Sequence, residues 1–184
     1  MGARSSTEPS SRYHWERYKA RWVVRGFTQR PGIDFSETFS PVVKPASIRS
    51  VLTIAASRSW PVHQLDVKNA FLHGFIDEQL YCLQPAGFTD SDHPNHVCKL
   101  ARSLYGLRQA PRAWFQRFTD VARGIGFTPT RSDVSLFILR RASATAYLLL
   151  YVDDIILAAS SEELLQHIVQ QLRDTLAIKD LGPV

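Results

Sequence analysis

The sequence predicts an α+β domain in which a mainly antiparallel sheet carries helices packed on one face. Three observations lead there. Strand and helix signals follow the order β-α-β-β-α-β-β-β-α, which suits helices laid on an antiparallel sheet. Two strongly apolar strands, Tyr147–Tyr151 and Ile155–Ala158, are separated by so few residues that a tight hairpin must join them. Three segments show apolar residues at helical spacing next to start or stop signals. The chain has 184 residues, 45% of them hydrophobic and 21% charged. That is enough to bury a sizeable core. The composition excludes disorder throughout, collagen and a disulfide-stapled miniprotein.

Residues 1–14, rich in Ser and Arg, read as a disordered leader with no apolar stretch of the secretory kind. Trp22–Phe27 reads as a strand. Thr28–Pro45, with three prolines and a glycine, reads as a loop. Pro45-Ala-Ser47 opens a helix with Ser47 as N-cap and Ile48, Val51, Leu52 and Ala55 as its apolar face. Val62–Val67 is a short strand, Gln79–Leu83 another, and Thr89–Asn95 a polar loop. Pro111 starts a second helix that buries Trp114, Phe115, Phe118, Val121 and Ala122, with Gly124 as its stop. Val134–Leu139 and Tyr147–Tyr151 are strands joined by a turn near Arg141–Ala144, and Ile155–Ala158 follows. Ser160-Ser-Glu-Glu163 is a capping box for a last helix carrying Leu164, Leu165, Ile168, Val169 and Leu172. No further element is expected before Val184. The apolar run at Tyr147–Leu157 is broken by two aspartates, so no membrane span is expected.

The formal net charge of +5 is unevenly spread. Residues 1–30 hold seven basic and two acidic residues. Residues 99–131 hold seven basic residues (Lys99, Arg102, Arg108, Arg112, Arg117, Arg123, Arg131) and only Asp120. Two basic blocks on an otherwise acidic chain point to a polyanionic partner. Cys82 and Cys98 make no disulfide framework, which fits a reducing, intracellular compartment. The set His93, His96 and Cys98, with Cys82 nearby, matches no common zinc spacing.

The strongest local signal is the pair Asp153-Asp154 inside Tyr147-Leu-Leu-Leu-Tyr-Val-Asp-Asp-Ile-Ile-Leu-Ala158. Adjacent carboxylates between apolar strands are costly unless a cation or hydrogen-bond donors compensate them. A hairpin turn would favour Asn-Gly or Asp-Gly, so Asp-Asp gains nothing for the turn itself. Hard ligands for Mg²⁺ explain it; an exposed turn with merely solvated carboxylates is the alternative. Asp66 also closes a short apolar strand, in Gln64-Leu-Asp-Val-Lys-Asn-Ala-Phe71. A strand-end carboxylate beside a turn with two more suits two-metal phosphoryl transfer, with ions about 3.5–4 Å apart.

Seven blocks in order carry a family resemblance: Tyr18-Lys-Ala-Arg21, Gly26-Phe-Thr-Gln29, Phe39-Ser-Pro-Val-Val43, Gln64-Leu-Asp-Val-Lys-Asn-Ala-Phe-Leu-His-Gly74, Leu104-Tyr-Gly-Leu-Arg-Gln-Ala-Pro-Arg-Ala-Trp114, Tyr151-Val-Asp-Asp154 and Lys179-Asp-Leu-Gly-Pro183. Together they resemble the reverse transcriptase of copia-type LTR retrotransposons of plants, from about Tyr18 to Val184. The resemblance implies an RNA-directed DNA polymerase of right-hand fold, with fingers at approximately 15–60 and 75–110 and palm at approximately 61–74 and 111–184. It further implies a chain truncated at both ends, with no thumb. Asp66, Asp153 and Asp154 match the catalytic carboxylates: Asp66 and Asp153 as principal metal ligands with the Val67 backbone, Asp154 as support. The implied cofactor is Mg²⁺, two ions, replaceable by Mn²⁺. Phe71 matches the aromatic position beneath the incoming sugar, where a ring excludes a ribose 2′-hydroxyl; a core aromatic is the alternative.

Lys19 and Arg21 match residues that neutralise the triphosphate, the alternative being a solvated strand edge. Lys68 and Asn69 offer backbone N–H groups to phosphate in the turn after Asp66. Tyr105-Gly106 matches the loop supporting the templating base and nucleotide, with Tyr where retroviral enzymes have Gln. Arg108, Arg112 and Tyr151 are placed for template or primer, the alternative for the arginines being solubility on an exposed face. The implied partners are an RNA or DNA template with primer, deoxynucleoside triphosphates, and companion integrase and RNase H domains of a Pol polyprotein. The implied location is intracellular, in a cytoplasmic virus-like particle or the nucleus. Two readings compete: a non-catalytic remnant or domesticated fragment that binds nucleic acid at most, and another Mg²⁺-dependent phosphoryl-transfer enzyme.

Overall fold

A computed structural model describes residues 4–6, 19–142 and 144–184. Arg4–Ser6 forms β1, antiparallel to β2 at Lys19–Arg21. These three residues therefore depart from the disordered leader expected over 1–14; the rest of that leader, and Tyr18, lie outside the described residues. The strand expected at Trp22–Phe27 sits earlier, at β2. Val23 keeps only a single bridge, to Tyr105, before a 3₁₀ turn at Gly26–Thr28.

Helix α1 spans Pro45–Ser57, with Lys44 as N-cap and proline in its first turn. Ser47 lies inside the helix and caps nothing. Its hydroxyl instead donates to Asp133 Oδ2 at 2.6 Å, and the Lys44 N–H donates to the same oxygen at 2.8 Å. An aspartate remote in sequence thus does the work expected of Ser47. Strand β3 is Val62–Val67, followed by a 3₁₀ turn at Ala70–His73. Strands β4 (Tyr81–Leu83) and β5 (Val97–Lys99) form a separate antiparallel pair. Helix α2 spans Ala110–Ile125 and runs through Gly124 to stop at Gly126, whose φ of 108° is the left-handed conformation such an end requires. Gly124 makes no stop because the apolar face continues to Ile125, which is buried.

The chain continues through β6 (Thr128–Pro129), β7 (Leu136–Arg141), β8 (Ala144–Tyr151) and β9 (Asp154–Ala159). Helix α3, Glu162–Arg173, is capped by Ser161, which accepts from the Leu164 N–H at 3.2 Å. The expected box at Ser160 and Glu163 is one residue early, because Ser160 Oγ is taken by the Thr145 N–H. The chain then forms β10, Ile178–Pro183, where no element was expected. Its residues alternate between half-buried and exposed, but the half-buried positions are Ile178, Asp180 and Gly182 and the exposed ones include Leu181, so no apolar alternation marks a strand; a bulge at Asp180–Gly182 shifts its register.

Six strands make one antiparallel sheet in the order β10-β3-β9-β8-β7-β6. Helices α2 and α3 cover one face, burying Trp114, Phe118, Leu165 and Ile168 against Leu148, Leu150, Ile155 and Leu157. Helix α1 covers the other, with Val51 and Ala55 against Leu149 and Ala158. The expectation of helices on one face is therefore corrected. Strands β8 and β9 are apolar on both faces, so both need a cover; burying each large apolar side chain contributes about 1.5–3 kcal/mol.

Candidate active site

The central strands deliver the three carboxylates to one end of the sheet. In the register, Asp66 on β3 lies opposite Asp154 on β9. Directly paired residues share a face, so these two carboxylates are neighbours. Across the hairpin Asp154 pairs with Tyr151, leaving Val152 and Asp153 as the two-residue turn. Val152 has φ +57°, a sparse conformation for a β-branched residue. The peptides around the turn are held by two hydrogen bonds. Trp114 Nε1 donates to the Val152 carbonyl at 2.6 Å, and the Val67 N–H donates to the Asp153 carbonyl at 2.9 Å. Val67 points its side chain into the core, so only its backbone faces the site. Asp154 Oδ1 accepts from Gln64 Nε2 at 3.2 Å.

Among the described residues, no basic side chain forms an ion pair with Asp66, Asp153 or Asp154. Lys179 on β10 lies opposite Asp66 in the register, placing one cation a strand away. Among the described residues no group of three or more His, Cys, Asp or Glu side chains comes together that could hold a metal ion by itself. Two aspartates with substrate phosphate are the smaller donor set that would suit Mg²⁺. The ion takes hard oxygen ligands, keeps several waters, and is held by one or two carboxylates plus phosphate rather than by an all-protein cage.

Beside the carboxylates stands an aromatic column. The Phe71 and Tyr105 rings lie 5.2 Å apart, and the Arg21 guanidinium is 5.5 Å from the Tyr105 centroid. Burial raises the Tyr105 hydroxyl above its ordinary pKa; Asp153 and Asp66 add to the rise, while Arg21 opposes it. The phenol is thus within electrostatic reach of both carboxylates. Its loop is pinned by glycine: a Cβ on Gly106, at φ +92°, would fall 2.1 Å from the Val24 carbonyl oxygen. A Cβ on Gly26 would fall 1.8 Å from the Gly106 oxygen. Only two bare backbones can approach this closely. Lys68 and Asn69 are exposed in the turn after β3, with Asn69 at φ +53°. Lys19 shares β2 with Arg21, but its side chain lies outside the described residues.

The arginines proposed for nucleic acid are tied into the protein. Arg108 Nε donates to the Gly26 carbonyl at 3.0 Å, and Arg112 pairs with Glu37. Tyr151 is exposed at the hairpin end. Four further residues near these strands, Trp114, Lys179, His63 and Asp180, carry no local sequence signal of their contacts. Trp114 reads as core, and its N–H contact needs the fold to be seen. Lys179 sits in a segment that carries no strand signal. His63 and Asp180, 3.0 Å apart, lock β3 to β10; there burial raises the Asp180 carboxyl, but the Gly182 N–H, His63 and Arg173 more than offset this and leave it below the usual range. Cys82 and Cys98, free thiols, face each other across β4 and β5. Among the described residues no helix is long and apolar enough to cross a membrane.

Comparison with known proteins gives this geometry a family context. Residues 8–184 match the model of the reverse transcriptase (RNA-dependent DNA polymerase) family. The chain is 51% identical over 164 residues to the retrovirus-related Pol polyprotein from transposon RE1 of Arabidopsis thaliana, covering 89% of this chain and 11% of that protein. It is 47% identical over 169 residues to that from transposon TNT 1-94 of Nicotiana tabacum, covering 91% of this chain and 13% of that protein. The chain thus spans about a tenth of the length of these curated relatives.

Proposed function

This chain belongs to the reverse transcriptase (RNA-dependent DNA polymerase) family, and on that premise we propose that it adds deoxynucleotides to a primer 3′-end on an RNA or DNA template. The observation that carries the proposal is the convergence of Asp66 and Asp154 in one cross-strand pair with Asp153 in the adjoining turn. Asp66 and Asp153, with the Val67 backbone, would hold two Mg²⁺ ions, and Mn²⁺ would serve in their place; Asp154 supports them. The chemistry supplied by bound metal is Lewis-acid charge at the attacking 3′-hydroxyl and at the leaving pyrophosphate.

The remaining residues bind and orient. Arg21 and Lys19 meet the triphosphate, a role suited to charge-assisted contact. The Asn69 backbone N–H and the exposed Lys68 side chain hold phosphate, since the Lys68 N–H offered by the sequence already donates to the Ala177 carbonyl at 2.9 Å. Phe71, supported by Tyr105, underlies the sugar and excludes a 2′-hydroxyl, while Tyr105-Gly106 backs the nucleotide. Arg108, Arg112 and Tyr151 border the template and primer path; Arg108 uses its Nε on the Gly26 carbonyl and Arg112 its Nη1 on Glu37, which leaves other guanidinium N–H groups for phosphate. Residues 15–60 and 75–110 act as fingers and 61–74 and 111–184 as palm. In a full polyprotein, integrase and RNase H would be the companion domains, inside the cell.

Primer extension run beside a gel shift tests this. Wild-type chain is expected to extend a primed template with Mg²⁺. Asp66→Asn is expected to bind the same duplex yet lose extension on the order of a thousand-fold, the equivalent of several kcal/mol of charge stabilisation. Duplex binding without extension by the wild type would instead support a non-catalytic fragment.

A further inference from the structure

Asp153 is the one candidate carboxylate that sits in a turn rather than on a strand, so its aim depends on how two peptide planes are held. The plane after it is fixed by the Val67 N–H on the Asp153 carbonyl, 2.9 Å. The plane before it is fixed by Trp114 Nε1 on the Val152 carbonyl, 2.6 Å. Val152, with φ +57°, has a conformation that costs about 1–3 kcal/mol and persists only where surrounding structure imposes it. Of the two restraints, only the indole is a side chain.

Trp114 is itself rigidly held. It is 1% exposed and packs on Phe118 at 5.6 Å between centroids. The His73 ring lies 5.9 Å away, and a Cβ on Gly74 would fall 2.9 Å from the Trp114 backbone nitrogen. The segment that follows Asp66 is therefore seated directly on this turn of α2. One residue contacts both halves of the candidate site: the stretch after β3 from behind, and the Val152 carbonyl in front.

We propose that Trp114 is a positioning residue whose indole N–H holds the Val152–Asp153 peptide so that the Asp153 carboxylate is presented to a divalent cation. The inference rests on the proposed metal-binding role of Asp153. A core tryptophan valued only for its bulk would contribute through packing alone. A positioning tryptophan contributes through one hydrogen atom, which substitution can remove while the ring remains.

The test is Mn²⁺ binding to the full 184-residue chain, followed by electron paramagnetic resonance, with thermal unfolding measured in parallel. Trp114→Phe removes the N–H and shrinks the ring; replacing Trp114 with β-(3-benzothienyl)alanine removes the N–H and keeps the shape. Both are expected to weaken Mn²⁺ binding about 10–100-fold, the usual effect of losing a group that orients a ligand. The benzothienyl variant should also retain the wild-type unfolding temperature, and it decides the matter if Trp114→Phe fails to fold. Wild-type Mn²⁺ affinity in the benzothienyl variant, with Asp153→Asn abolishing binding, would overturn the positioning role. Equal Mn²⁺ binding by wild type and Asp153→Asn would overturn the metal assignment beneath it.

Discussion

Phe71 is half-buried, rests on Tyr105, and belongs to the short 3₁₀ turn that directly follows the strand bearing Asp66. Its ring is thus fixed within a few residues of the proposed chemistry. If the ring excludes a ribose 2′-hydroxyl, shortening it should admit ribonucleotides. Phe71→Val is expected to lower the preference for deoxynucleotides over ribonucleotides about tenfold or more in kcat/KM while leaving deoxynucleotide use largely intact. Unchanged preference in single-nucleotide incorporation would assign Phe71 to the core alone. Asp66, Asp153, Asp154, Phe71 and Tyr105 stand out as candidates in the sequence because they fall in short contiguous motifs. Trp114 and Lys179 do not, since the Trp114 hydrogen bond spans 38 residues and Lys179 comes opposite Asp66 only through strand register.

Among the elements, the same contrast explains which boundaries the sequence reveals. Strand β3 matches the expected Val62–Val67, and β8 and β9, whose centres are continuous apolar runs, contain the expected Tyr147–Tyr151 and Ile155–Ala158. Strand β10 is half exposed and bulged, and its identity depends on pairing with β3. The start of α1 depends on Asp133, a residue whose contact the local sequence cannot disclose. Burial raises the Asp133 carboxyl, but hydrogen bonds from Ser47, Lys44 and Ser135 and the Lys44 charge outweigh it, so its pKa lies below the usual range. Asp180 is lowered in the same sense. A carboxylate with a lowered folded-state pKa contributes stability that is fully present above its unfolded value, about 3.9, and is lost as pH falls through the folded value. Asp133→Asn is therefore expected to cost about 1–3 kcal/mol at pH 7. It should also flatten the loss of stability below about pH 4. Urea unfolding across that range checks both; an undiminished acid slope would assign the dependence elsewhere.

For the whole molecule, the sheet is a frame with helices on both faces and the three candidate carboxylates at one strand end. Both covers are needed because β8 and β9 are apolar on each side, a feature that their continuous apolar runs display. The +5 charge gains a more specific meaning from the fold. Arg21 stands beside Tyr105, while Arg108 and Arg112 already have partners within the protein. The basic blocks are therefore partly internal struts rather than a uniform polyanion-binding surface. Asp66, Asp153 and Asp154 are proposed to form a template-directed polymerising centre. Single-turnover incorporation on a primed RNA with one defined templating base tests it most directly. Wild type is expected to add only the complementary deoxynucleotide, only with Mg²⁺ or Mn²⁺, and Asp153→Asn to lose this on the order of a thousand-fold. Equal incorporation by Asp153→Asn, or addition that ignores the template base, would contradict it.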